Sequence, residues 1–297
     1  MTYKRRRQIF LVLFGAPALI YVAIVAGWPL LSGVCFSLFD YNLMRPTSRV
    51  AVGFQNYRDL LGDPAFRAAL VTTFVFTFSA VTLEFAFGLA LALLLWRDSA
   101  FERAMLALLL VPVTVTPIVV GLIFRALLAP DFGLLGYYFA QWGLGGARGL
   151  FGNPATACWT LVAIDAWEWT PLVALILLAG LKSLPTDVLE AAEADGATAA
   201  QRFRLIIFPM LLPVVFLALV LRSMDAFKVF DIIFATTNGG PADATNTLML
   251  MAVKQGLQFF NIGRASAIAN LMLVCIAGFS VGFVILIRGA DRRANEI

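Results

Sequence analysis

The residues of this 297-residue chain that could do chemistry are few, and most sit where charge is costly. Glu84, Arg125, Asp165, Glu168, Arg222, Asp225, Lys228 and Asp231 all fall inside long apolar stretches. An ionisable group at the middle of a bilayer costs roughly 2.5–3.5 kcal/mol on insertion scales, so each is expected to face a cavity or a partner. Arg222, Asp225, Lys228 and Asp231 are spaced three apart and alternate in sign. Neighbours at that spacing share a helix face and can pair. A structural ladder of ion pairs, a helix end emerging into water and a solute pathway all fit this pattern. Asp165-Ala166-Trp167-Glu168-Trp169-Thr170-Pro171 sets aromatic rings beside carboxylates. That combination suits a sugar, whose C–H faces pack on rings while its hydroxyls need partners. An aromatic belt at the membrane interface explains the tryptophans equally well. Glu84 is read as a packing contact within a helix bundle. The substrate-pathway candidates are therefore Asp165, Trp167, Glu168, Asp225 and Lys228. No catalytic residue, metal ligand or cofactor-binding residue is expected. The chain has no histidine and no nucleophile constellation, so an enzyme is not the reading. Cys35, Cys158 and Cys275 are isolated thiols in apolar runs, with no metal or disulfide spacing.

A second group of polar residues stands between two greasy segments, in SLPTDVLEAAEADGATAAQRFRLIIFPMLLP from Ser183 to Pro213. The spacing predicts a helix starting at Asp187, with Glu190 as its reciprocal cap. Gly196 ends or turns it, because glycine tolerates the positive φ that a helix terminus often requires. A second helix is expected from Thr198, with Gln201 three positions on as a capping-box partner, running through Phe203 and Ile206 into the next apolar segment. An amphipathic loop lying on lipid headgroups is one reading. Against it, the apolar side is mostly alanine and buries little area, and Glu190, Glu193 and Asp195 would be repelled by an anionic leaflet. A handle for a protein partner fits better.

The elements that must position these groups are membrane helices. The chain is 61% hydrophobic and 13% charged, with a mean hydropathy of +0.88, which is the range of polytopic membrane proteins. Six spans are expected at about 9–31, 68–96, 105–128, 155–180, 205–233 and 265–287, in one all-α domain over 1–297, with a coupling loop at 183–204. The first follows Lys4-Arg5-Arg6-Arg7 and is too long for a signal peptide. RDSAFER (Arg97–Arg103) is a tight charged turn, and Pro112 and Pro117 should bend the third span. Residues 36–67 read as an external loop with some amphipathic helix, 129–154 as a glycine-rich loop, and Asn238-Gly239-Gly240-Pro241 as a turn. With the amino terminus inside, the inner segments hold 12 Lys/Arg in about 50 residues and the outer ones 7 in about 94. Both termini and the polar knob are thus expected in the cytoplasm.

Glu190-Ala191-Ala192, Asp195-Gly196-Ala197, Phe203, Ile206 and Pro209 resemble the EAA loop of binding-protein-dependent ABC importer permeases. Asp225–Thr245 is similar to the fifth span and outer loop of carbohydrate permeases of the maltose and glycerol-phosphate type. Asp165–Pro185 and Pro130–Leu135 resemble that family's fourth span and the loop after its third, and the similarity runs from Asn56 onward. The resemblance implies a type I importer permease in the bacterial inner membrane, serving a sugar, oligosaccharide or polyol. It implies that Glu190, Ala191, Ala192, Asp195, Gly196, Ala197 and Phe203 dock on a cytoplasmic ATPase dimer. It also implies a second permease subunit, a different chain, and an extracytoplasmic solute-binding protein. No GxxxxGK[ST] phosphate loop occurs, so ATP and Mg belong to the partner ATPase and no cofactor is expected on this chain. A self-contained, ion-coupled carrier using Glu84 or Asp165 is the alternative.

Overall fold

The structure, a computed structural model, describes residues 3–45, 49–97 and 99–294. Pro46 of the first loop and Asp98 of the charged turn lie outside the described residues. Among the described residues, five helices are long and apolar enough to cross a membrane, or six when one bent pair is counted as a single span. The chain divides into two compact units, Met1–Pro64 with Met251–Leu273, and Ala65–Leu250 with Val274–Ile297.

In the first unit, helix α1 (Tyr3–Val22) continues through a π-turn at Ala23–Gly27 into α2 (Trp28–Ser37). The segment read as an external loop with some amphipathic helix holds that helix, α3 (Gln55–Gly62), after a two-stranded hairpin of β1 (Phe39–Asp40) with β2 (Val50–Ala51). Side chains tie this cap to residues 251–273. Asn270 donates to the Tyr57 hydroxyl at 2.9 Å, which in turn hydrogen-bonds Ser37 at 2.7 Å, and Arg264 forms an ion pair with Asp63.

The second unit carries the chemistry. Its helices are α4 (Pro64–Leu94), α5 (Ala100–Thr114), α6 (Pro117–Leu127), α7 (Leu134–Gln141) and α8 (Pro154–Lys182). They are followed by α9 (Thr186–Ala194), α10 (Ala199–Arg202), α11 (Phe208–Phe227), α12 (Asp231–Thr236) and α13 (Leu248–Val253). Helix α14 (Ile262–Ala294) runs from the first unit's residues into the second's. Of the two prolines in the third span, Pro112 stays inside α5 and Pro117 opens a new helix, so the span is broken rather than bent. Helices α5 and α6 meet at 93°, because Val115 and Thr116 are extended and Thr116 precedes Pro117, a position biased away from helix. The glycine-rich loop contains α7, and α13 lies where an uninterrupted loop is expected after Pro241. Both are short and depend on tertiary contacts: the α13 start is fixed by Leu248 N–H donating to Thr73 Oγ1 at 2.9 Å.

Two apolar clusters hold the unit. Phe76, Ala80, Val120, Leu161, Ile164, Ile232 and Ile233 join α4, α6, α8 and α12. Leu95, Leu177, Leu181, Ile207, Leu211 and Val215 join the end of α4 to α8 and α11. Outside them the helices are greasy, with Val71, Phe78, Phe87 and Leu217 all exposed, as lipid-facing helices require.

Candidate functional site

The polar knob is two helices and a sharp corner. Helix α9 begins one residue earlier than the spacing predicts, after the extended Pro185, and no side chain caps it. The expected cap between Asp187 and Glu190 does not form, since Asp187 is already helical; its carboxylate instead lies in the first turn, at the positive end of the helix dipole. The far end is a Schellman closure. Ala197 N–H donates to Ala192 C=O at 3.0 Å and Gly196 N–H to Glu193 C=O at 3.0 Å, with Gly196 at φ +76°. Thr198 and Gln201 form the capping box: Thr198 N–H donates to Gln201 Oε1 at 2.8 Å, and Gln201 N–H to Thr198 Oγ1 at 3.3 Å. Glu193 and Arg202 pair across the corner at 2.5 Å.

This corner is moored, not loose. Leu189 and Phe203 pack against the cluster of Leu95, Leu181, Ile207 and Leu211, and Ala192 is buried. A π-turn at Phe203–Ile207 passes the chain into α11 without a break. Lys182 at the end of α8 pairs with Glu102 at the start of α5 at 2.6 Å. Glu190, Ala191, Asp195 and Gly196 are exposed and Ala197 is half-buried, so one face of the knob is free while the other is fixed to three helices.

Deeper in the unit the costly charges meet. Arg222 is 2% exposed and reaches Glu84 with a two-pronged contact, Nε to Oε2 at 2.6 Å and Nη2 to Oε1 at 2.7 Å. The same Nη2 donates to Asp165 Oδ2 at 3.1 Å, and the guanidinium lies 4.7 Å from the centre of the Trp169 ring. One arginine thus joins α4, α8 and α11. The fork geometry of a guanidinium is what lets it serve two carboxylates and an aromatic face together.

The alternating ladder does not exist as such. Helix α11 ends at Phe227, Lys228 caps it, and Asp231 opens α12 after a break, so the three-residue register is lost. Arg222 turns inward to Glu84 and Asp165, leaving Asp225 and Lys228 as an exposed pair at 3.3 Å. Nor do the five pathway candidates converge. Asp165 and Glu168 are buried, whereas Trp167 is 49% exposed and its ring meets Phe124 edge-on at 5.3 Å. The sequence marks Arg222, which joins the three helices, as one of eight costly charges and as a rung of the alternating series, without naming its partners. Its partner Glu84 stands 138 positions away, and the only signal for the pair was that neither charge could remain alone in an apolar span. Neither carboxylate oxygen of Glu168 has a hydrogen-bond partner among the described residues.

The comparisons with known proteins agree with this architecture. Residues 84–295 match the family described as binding-protein-dependent transport system inner membrane component. A probable ABC transporter permease protein, y4oQ of Sinorhizobium fredii, is 36% identical over 97% of this chain and 94% of its own length. The trehalose transport system permease protein SugA of Mycobacterium tuberculosis is 31% identical over 96% of this chain and 90% of its own. The fold is that of a chain from the crystal structure of a bacterial alginate ABC transporter in complex with alginate pentasaccharide-bound periplasmic protein. The TM-score is 0.78 with 18% identity, covering 98% of this chain and 97% of that one. These relatives set the ion-coupled alternative aside. The chain belongs to the binding-protein-dependent inner membrane components, and it is a multi-pass permease subunit of an ABC transporter.

Proposed function

We propose that the chain imports a sugar, oligosaccharide or polyol as half of a permease pair driven by a separate cytoplasmic ATPase dimer. The observation that carries this is the knob: an exposed acidic and alanine face, Glu190 to Asp195, on a corner fixed to α4, α8 and α11. A push on that face has no slack in which to be lost. The carbohydrate class is supported by relatives named for trehalose, for trehalose and maltose, and for sn-glycerol-3-phosphate. The second permease subunit is a different chain, and a solute-binding protein delivers the substrate from outside. ATP and Mg are held by the ATPase, and this chain binds no cofactor.

Glu190, Ala191, Asp195 and Gly196 are the proposed ATPase contacts, with Ala192, Ala197 and Phe203 holding them in place. Trp167, Asp225 and Lys228 are the proposed substrate contacts, supported by their exposure. Asp165 and Glu168, both buried, are assigned to the join of α8 with α11. In the reconstituted complex, Glu190→Lys or Gly196→Pro should insert and assemble but separate ATP hydrolysis from uptake, with uptake down at least tenfold. Normal coupled transport in both variants would end the docking assignment.

A further inference from the structure

Arg222 has three carboxylates within its neighbourhood of α4 and α8 but binds only two. Glu168 lies three residues beyond Asp165 on α8, about 4.5 Å along the axis and on a neighbouring part of the same face. It is 1% exposed, and both its oxygens lack a hydrogen-bond partner among the described residues. A buried carboxylate in that condition is among the most costly arrangements a protein can hold, so its retention asks for a state in which it is satisfied. A cation that already acts on it electrostatically, Arg222, belongs to the helix that the knob drives, because α11 follows from α10 through the π-turn at Phe203–Ile207.

We propose that Glu168 is the second acceptor for Arg222, taking the guanidinium over from Asp165 when the permease changes the side it faces. Arg222 keeps its two bonds to Glu84, so α4 travels with α11, and only the third bond is exchanged as α11 slides along α8 by about three residues of helical rise, ~4.5 Å. Helices α8 and α11 run in opposite directions, and the slide carries Arg222 toward the Lys182 end of α8. In each position Arg222 holds Glu84 and one of the two α8 carboxylates, and between the positions it lacks the third bond. That gives two discrete settings rather than a continuum, as packed switching elements require. Glu168 is here a positioning residue: it acts through Arg222 and touches no solute.

This inference rests on the transport reading, and its test separates the two. In the complete reconstituted complex, Glu168→Gln removes one setting and Asp165→Asn the other. Their effects on ATP hydrolysis without binding protein must therefore have opposite signs, each several-fold, and Glu168→Gln should lower uptake at least tenfold. Glu168→Asp should restore part of that uptake. Wild-type uptake by Glu168→Gln, or both variants shifting hydrolysis in the same direction, would overturn the exchange. A wild-type complex that hydrolyses ATP but takes up no solute would instead sink the transport reading.

A distance measurement in a chain with Glu84, Asp165, Glu168 and Arg222 intact covers the case in which a variant fails to fold. Cys35, Cys158 and Cys275 are replaced by Ser, and spin labels are placed at the exposed positions Trp159 and Leu217. The label distance should lengthen by ~4 Å in one of the two states, nucleotide-free or vanadate-trapped, relative to the other. An unchanged distance would refute the slide.

Discussion

Arg222 shows why single charges inside apolar helices are informative. Its burial is tolerable only because Glu84, Asp165 and Trp169 surround it, and each of these is costly or idle without it. Breaking a buried pair from one side leaves the opposite charge uncompensated and costs about 3–5 kcal/mol, whereas replacing the whole group by packed apolar residues is often neutral. Arg222→Met should therefore lower the unfolding midpoint of the detergent-solubilised chain by several degrees. The triple variant Arg222→Met, Glu84→Met, Asp165→Leu should recover at least half of that loss. If the triple variant were no more stable than Arg222→Met, the cluster's energy would lie elsewhere than in these three contacts. The neighbouring surface pairs carry no such weight. Glu193–Arg202 is largely exposed on its acidic side and holds the corner's geometry more than its stability.

At the scale of elements, α4 and α8 cross closely where the sequence places a glycine, Gly88, on the buried side of α4. A side chain built on Gly88 of α4 would come within 2.8 Å of Val173 Cγ1 and 3.2 Å of the Ala174 backbone nitrogen on α8. Small residues allow such approach, and membrane helices associate through it. Gly88→Leu should push α4 from α8, lengthen the reach of Arg222 to Asp165 and destabilise by about 1–3 kcal/mol, read as a lowered unfolding midpoint. A variant as stable as the parent would show that the crossing yields freely.

How legible these elements were follows from the range of what decides them. Gly196 and the Thr198–Gln201 cap were readable because four residues settle them. The break at Pro117 was readable as a disturbance, yet its 93° angle was not, since tertiary packing sets where α6 goes. Helix α13 is short and its start depends on the distant Thr73, and α7 is short and held by Leu135 and Phe139 packing on the cluster of Phe76, Leu161 and Ile164, so no local pattern announces either. The meeting of Glu84 with Arg222 spans most of the unit and left no spacing to read.

At the scale of the whole molecule, the assignment of the knob to the ATPase requires one orientation in the membrane. The basic residues of 1–8, 97–104, 181–204 and 288–297 are about three times as dense as those of the other loops, and such a bias sets topology over short connections. The knob and the turn after α7 must then open to opposite sides. Ala194 and Trp142 are both exposed, so each accepts a reporter without disturbing a core. In a chain whose native cysteines are replaced by serine, Ala194→Cys should resist an impermeant thiol reagent in intact cells and react once the inner face is opened. Trp142→Cys should react in intact cells once the reagent has access to the outer face of the inner membrane. The reverse pattern would place the Glu190–Asp195 face away from any cytoplasmic motor, and the docking assignment could not survive it. Uptake driven by ATP needs the knob inside; the slide of α11 past α8 needs only that the knob be pushed.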